Sequence, residues 1–488
     1  MTNKDRLKVT TMTNKDGLKA TTMTNKARLK ATNPQHLTSW KTNVTSSFMG
    51  ARETFSGKLG LVLTAAGAVI GLGSLWRFPY LTGQYGGGVF ILCYLALLIA
   101  LGLPLLIAEF SIGKKTRTGV FGAFRTLNPR FGFLGILSVL AILLTMPYYS
   151  LIGSESVKYG VMYASGQGAS LLDPAFYQGY TASAGEPLIW LAGFVILAGV
   201  IGLFGLKKGI ERLCKFVMPA VFILLIGLTV FCLTIPGALD GLAYYLIPDF
   251  SQFSAETILA AMGQVFYSLS LGFGVMVTLG SFMKEEESIP NSAVKTISIT
   301  FVVALLAGAL IIPASYICTN GNPAILGSGT VFESLPIVFD ALPAGSVLGA
   351  AFFFLLALSA LAPVVIFSEV IITALSDRFA VPRRVGVLIM STLLFLIGML
   401  ISLGYGPLSW IQLGGRHILE MFDFAAGNIL LPVTAFLTCV LIGYCIKKTG
   451  FLKDVGVKYP RLYTFMVFCF CPACILAIFI YNIVGLFL

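Results

Sequence analysis

Apolar runs alternate with short polar connections along almost the whole chain. Runs long enough to cross about 30 Å of hydrocarbon fall at 58–82, 87–113, 132–164, 187–204, 212–235, 257–283, 292–320, 345–378, 384–404, 418–446 and 459–487. The pattern predicts an all-α polytopic membrane protein of about eleven spans. The connections after the second (Lys114, Lys115, Arg117, Arg125, Arg130), fourth (Lys207, Lys208, Arg212, Lys215), eighth (Arg378, Arg383, Arg384) and tenth (Lys447, Lys448, Lys453, Lys458, Arg461) runs are basic, whereas those after the third, fifth and seventh contain no Lys or Arg. By the positive-inside rule the N-terminus is cytoplasmic and, with eleven spans, the C-terminus lies outside.

Composition agrees with the pattern: 57% of the 488 residues are hydrophobic and 11% charged. The net charge of +12 is explained by cations facing an anionic inner leaflet and calls for no nucleic acid. Most of the nine cysteines fall within spans, where a thiol behaves as a small apolar group. No cluster has metal-ligand spacing and no nucleophile accompanies a base, so the chain does not read as an enzyme and no organic cofactor is implied. Ahead of the spans, MTNKDRLKVTT, MTNKDGLKATT and MTNKARLKATN are three consecutive copies with few apolar positions. Residues 1–48 therefore read as a disordered basic cytoplasmic tail, with Met49 a possible native start and 49–488 the transmembrane domain.

Two spans violate their own pattern. In TAAGAVIGLGSLWRFPY, residues 64–80, Gly67, Gly71 and Gly73 weaken a helix that then carries Arg77 just before Pro79. In FYSLSLGFGVMV, Ser268, Ser270, Gly272 and Gly274 interrupt the sixth span. Breaks survive in a membrane only where the freed backbone faces protein or a water-filled cavity. Breaks in the first and sixth of eleven spans are what two repeats of five helices give, and they point to a transporter binding site.

GLGSLWRFPYLTGQYGGGVF, GLPLLIAEFSIGK, GQVFYSLSLGFG and PYYS resemble the neurotransmitter:sodium symporter family, from about Arg52 to the end of the last span. The resemblance implies a leucine-transporter-like fold, two inverted five-helix repeats with helices 1 and 6 unwound, in the inner or plasma membrane. It implies an outer gate of Arg77 with Asp423 and an inner gate of Arg52 with Asp377, lidded by Phe55 and Phe282. The substrate site would comprise Val69, Gly71, Gly73, Thr145, Tyr149, Tyr267, Ser268, Ser270, Phe273 and Phe367, with Tyr149 on the substrate carboxylate. Gly71 stands where amine carriers of the family have an aspartate, so a neutral apolar or aromatic amino acid is favoured.

For the coupling ions the resemblance places a first sodium site at Val69, Ser74, Ser268 and Thr300. It places a second at Gly67, Ile70, Ser359, Ala362 and Pro363. Alanine and proline offer no side-chain oxygen, so the second site is expected to be weak, with backbone ligands only. Tyr94, Gln264 and Ser268 resemble chloride ligands, although the seventh-span position is about Ala304. Glu109, Glu155 and Lys158 are ionisable within spans. Structural ion pairing, with Glu155 against Lys158 three residues on, weighs against a proton relay there. The expected function is sodium-coupled symport of neutral amino acids by alternating access, by a monomer or homodimer. A proton-coupled or uncoupled exchanger and a transport-dead amino-acid sensor are the alternatives.

Overall fold

Nine helices among the described residues are long and apolar enough to cross a membrane in the computed structural model, which describes residues 53–318, 331–413, 415–449 and 455–484. They are Gly88–Thr116, Pro129–Ala164, Glu186–Leu203, Leu206–Leu233, Ile289–Ile317, Gly345–Phe379, Arg383–Leu403, Ile418–Gly443 and Pro460–Tyr481. Two further spans are broken. The first is Lys58–Val69 plus Gly73–Gln84, bent by 61°; the sixth is Ala255–Leu269 plus Val275–Ser281. By length and apolarity the nine helices and the first pair account for ten of the eleven expected spans; the sixth is divided into two helices of 15 and 7 residues, and no strand occurs among the described residues. The basic tail, 1–48, lies outside them, as does Arg52.

The connections after the third, fifth and seventh spans hold more structure than their polarity suggests. Pro174–Ala182, Ala238–Leu246 and Val331–Asp340 are short helices between spans. The third and eighth spans pack along most of their length, and the second packs against the second half of the sixth. Around these lies one continuous apolar core.

Each break has a local cause. At the end of Lys58–Val69, Ile70 turns to extended geometry (ψ 96°) before the helix resumes at Gly73. In the sixth span Ser270, Gly272 and Gly274 all take positive φ (52°, 87° and 70°). Glycine accepts that conformation without steric penalty, and a Cβ at Gly272 would lie 2.9 Å from the Leu431 carbonyl. Ser270 is the exception, and its hydroxyl donates to the Ala68 carbonyl at 3.1 Å, tying one break to the other.

Buried ionisable groups serve the backbone as much as each other. Glu109 makes no ion pair among the described residues; its Oε1 accepts the Gly272 N–H at 2.8 Å. Lys158 pairs with Glu186 at 2.8 Å and lies 3.5 Å from the centre of the Tyr180 ring, in place of the expected pairing with Glu155. Glu186 is half exposed whereas Glu155 is buried, so this partner costs less desolvation.

A second clamp fixes the eighth span to the ninth. Arg383 donates to both oxygens of buried Glu369, at 2.9 and 2.6 Å, and to the Gly202 carbonyl. Replacing Arg383 by Ala strands the carboxylate and is expected to destabilise the fold by about 3–5 kcal/mol. The midpoint of thermal unfolding in detergent measures this, and the pair replacement Glu369→Leu with Arg383→Met is expected to lose less.

Candidate functional site

The two breaks enclose a narrow cavity at mid-depth. Ala68, Val69 and Gly71 of the first span, Thr145, Met146 and Tyr149 of the third, Tyr267, Ser270 and Phe273 of the sixth, and Pro363 and Phe367 of the eighth line it. Eight of the ten candidate substrate residues thus share one wall. Gly73 lies behind the Tyr267 ring, and Ser268 points away toward Tyr94. The cavity volume is about 10 Å³, about one water-sized sphere, so any larger ligand requires the walls to part.

Its chemistry is uncharged. Phe273 and Phe367 meet edge to face at 5.0 Å. The Thr145 hydroxyl is buried without a hydrogen-bond partner. Gly71 fits tightly: a Cβ there would come within 3.3 Å of both Pro363 Cγ and Tyr149 Cε1. At the start of the next half-helix the Ser74 and Leu75 N–H groups both donate to the Gly71 carbonyl at 3.1 Å.

A hydrogen-bonded cluster closes the end of the cavity distal to the N-terminus. The Tyr267 and Tyr148 hydroxyls both donate to Asp423 Oδ1, the latter at 2.8 Å, and lie 3.0 Å from each other. The Arg77 guanidinium sits 4.2 Å from the centre of the Tyr267 ring. The expected gate partners are therefore brought together on either side of one tyrosine, with no direct Arg77–Asp423 ion pair among the described residues. A wider cavity, lined by Arg77, Glu256, Tyr267, Asn428 and Tyr481 among others, opens above them.

On the N-terminal side of the breaks, the segment leading into the first span is packed on the end of the sixth. Phe55, fully buried, meets Phe282 edge to face at 6.2 Å, and its N–H donates to the Phe282 carbonyl at 3.3 Å. Ser56 is fastened beside it. Its N–H donates to Glu211 Oε2 at 3.0 Å, its hydroxyl donates to the same carboxylate, and its carbonyl accepts from Lys284 at 3.0 Å. Lys215 pairs with Glu211 at 2.7 Å. Asp377 accepts the Gly119 N–H at 2.6 Å; its expected partner Arg52 lies outside the described residues.

The candidate ion ligands fall into two groups. Buried Ser74 donates to the Val69 carbonyl at 3.4 Å, while Thr300, on the seventh span packed against Gly73–Arg77, donates to Thr296 at 2.9 Å. Tyr94 and Ser268 are hydrogen-bonded at 2.7 Å, and Gln264 donates to the Gly73 carbonyl at 2.8 Å while its Oε1 is buried without a partner. The chloride-like trio is thus one cluster behind the first break. Around the second site, Pro363 deprives the Ser359 carbonyl of its helical donor, and this oxygen lies 3.6 Å from where a Gly71 Cβ would stand. Gly67 packs against Cys214 and Ile366.

Tyr148, Glu211 and Ser56 were not singled out by sequence reasoning. Tyr148 stands beside Tyr149 in PYYS, but which of the pair faces Asp423 depends on the helix's rotation. Glu211 opens a span and reads as a surface acid until the first span's entry segment is packed on it.

Comparison with known proteins gives consistent results. The sodium:neurotransmitter symporter family matches residues 52–167 and 178–487. An uncharacterized sodium-dependent transporter of Haemophilus influenzae is 34% identical over 88% of this chain and 98% of its own length. A second, YhdH of Bacillus subtilis, is 32% identical over 88% and 98%. The crystal structure of MhsT in complex with L-phenylalanine superposes with a TM-score of 0.80 at 33% identity, covering 88% of this chain and all of that one. The sodium- and chloride-dependent creatine transporter 1 of Bos taurus is 26% identical over 89% of this chain and 77% of its own.

Glu211→Gln removes the charge that holds Ser56 and Lys215. Amide hydrogen exchange over residues 56–61 is expected to speed up by about tenfold, with exchange in the eighth span unchanged. Mass-spectrometric exchange on the purified protein checks both.

Proposed function

This chain belongs to the sodium:neurotransmitter symporter family, a family of sodium-dependent membrane transporters rather than enzymes, and from that premise we propose that it carries neutral amino acids with an apolar or aromatic side chain. The observation that carries the reading is the cavity at the paired breaks. Gly71 puts no carboxylate opposite an amine, the Tyr149 ring flanks a place suited to a carboxylate, and Phe273 with Phe367 forms an aromatic wall. A zwitterion with an apolar side chain matches that chemistry. The phenylalanine bound in MhsT supports the same class.

Tyr267, Tyr148, Asp423 and Arg77 act as the outer gate, and Phe55, Phe282, Ser56 and Glu211 as the inner closure, with Asp377 held on the Gly119 N–H. The basic connections lie at the Phe55 end, which supports a cytoplasmic N-terminus in a cell-membrane protein. Sodium is cargo rather than resident cofactor. Ser74, Ser268, Thr300 and the Val69 carbonyl form the first site, and the carbonyls of Gly67, Ile70 and Ser359 form the second. Tyr94, Gln264 and Ser268 offer donors to chloride.

A specific observation favours a second reading. Ala362 and Pro363 supply no hydroxyl where the second ion would sit, which suits a carrier driven by protons or exchanging without a coupling ion. Uptake of labelled amino acids into proteoliposomes, with an inward sodium gradient, a proton gradient or neither, separates the readings. Sodium-driven accumulation of phenylalanine or leucine is expected, and uptake indifferent to sodium favours the second.

Two variants sharpen the test. Gly71→Asp fills the space beside Pro363 and Tyr149 with a buried anion and is expected to cut amino-acid uptake by at least about tenfold. Ala362→Ser with Pro363→Ser restores two hydroxyls and is expected to lower the sodium concentration for half-maximal uptake. An unchanged value shows that the second site does not limit coupling.

A further inference from the structure

Tyr267 occupies a place that the pairing of Arg77 with Asp423 leaves unexplained. Its ring lines both the substrate cavity and the wider cavity above it, so it is the partition between them. The ring is held between two glycines. A Cβ at Gly427 would stand 3.1 Å from Tyr267 Cε2, and one at Gly73 would stand 3.6 Å from its Cδ1. Gly427 belongs to a wide turn, Ala425–Leu430, directly after the helix that carries Asp423. The tenth span thus supplies both the recess for the ring and the acceptor for its hydroxyl.

We infer that the Tyr267 hydroxyl is the latch of the outer gate: it joins the sixth span to Asp423 of the tenth, with Tyr148 of the third as second donor and Arg77 of the first stacked on its ring. The inference rests on the proposed carrier function. Four spans from both repeats then meet on one side chain. A phenol donating to a carboxylate makes a charge-assisted hydrogen bond, while a cation over the ring face is attracted by the ring quadrupole and draws electron density from the phenol, strengthening it as a donor. An ion pair between Arg77 and Asp423 would leave the partition ring unattached; the observed arrangement closes the gate by fixing the partition itself. Opening requires Tyr267 to leave Asp423, and the cavity below is then exposed.

Thiol accessibility tests this without any substrate. With Thr145→Cys as a reporter inside the cavity, a membrane-impermeant thiol reagent is added from the face opposite the N-terminus, and the same protein lacking the reporter corrects for native thiols. Tyr267→Phe keeps the ring and removes the latch, and is expected to speed modification about tenfold. Asp423→Asn is expected to act similarly, and the double variant to react no faster than the quicker single. Tyr148→Phe, which leaves the Tyr267 bond in place, is expected to give a smaller rise. Where Tyr267→Phe does not reach the membrane, Gly427→Ala, which displaces the ring by a few tenths of an ångström, reads the same equilibrium. A Tyr267→Phe rate equal to the parent's, or effects of Tyr267→Phe and Asp423→Asn that multiply, overturns the latch. A failure of the uptake experiment would sink the amino-acid reading and leave this measurement standing.

Discussion

Everything in this molecule depends on satisfying backbone groups that two broken helices release inside the membrane. Each released N–H or C=O left bare in hydrocarbon costs several kcal/mol, and the partners found here come from elsewhere in the chain. Glu109 of the second span takes the Gly272 N–H, Ser138 of the third donates to the Gly272 carbonyl, and Gln264 donates to Gly73. Ser270 closes the circuit by donating to Ala68. The two breaks are thus parts of one hydrogen-bonded unit, and the cavity between them is what remains after that accounting.

The two ends of the cavity are closed by different physics. At the N-terminal end an aromatic pair is backed by a buried carboxylate that gathers an amide, a hydroxyl and an ammonium. At the other end a single carboxylate gathers two phenols beside a stacked guanidinium. The first is a seal of the chain's own entry segment, and the second is a seal made of groups that also line the ligand space. A ligand entering from the distal side must disturb the second and need not touch the first, so the two closures can respond separately, as alternating access requires.

Much of this was legible because the chain breaks its own rules where it functions. Eleven apolar runs, glycines at equivalent places in the first and sixth, and an arginine at membrane depth stand out against a uniform background. The short helices between spans, such as Pro174–Ala182, were hidden by mixed composition. Side-chain partners were harder still. Lys158 goes to Glu186 rather than Glu155 because exposure, absent from the sequence, decides which pairing costs less desolvation. Ser268 and Ser270 sit two residues apart, but a helix turns about 200° over that interval. One therefore meets Tyr94 while the other, past the helix end, meets Ala68.

The substitutions at Ala362 and Pro363 carry the last step. Proline removes an oxygen-bearing side chain and, by the same ring, withholds the amide that would occupy the Ser359 carbonyl. The ring also packs where a Gly71 side chain would otherwise reach. Under the proposed function the second ion would then depend on carbonyls of the first-span break and of the eighth span together. Such a set exists only while those two elements are in register, because no side chain can swing to complete it. Ion affinity becomes a property of the conformation rather than of a residue. A weaker site of this kind can still couple, since what drives transport is the difference in affinity between states and not the affinity in either.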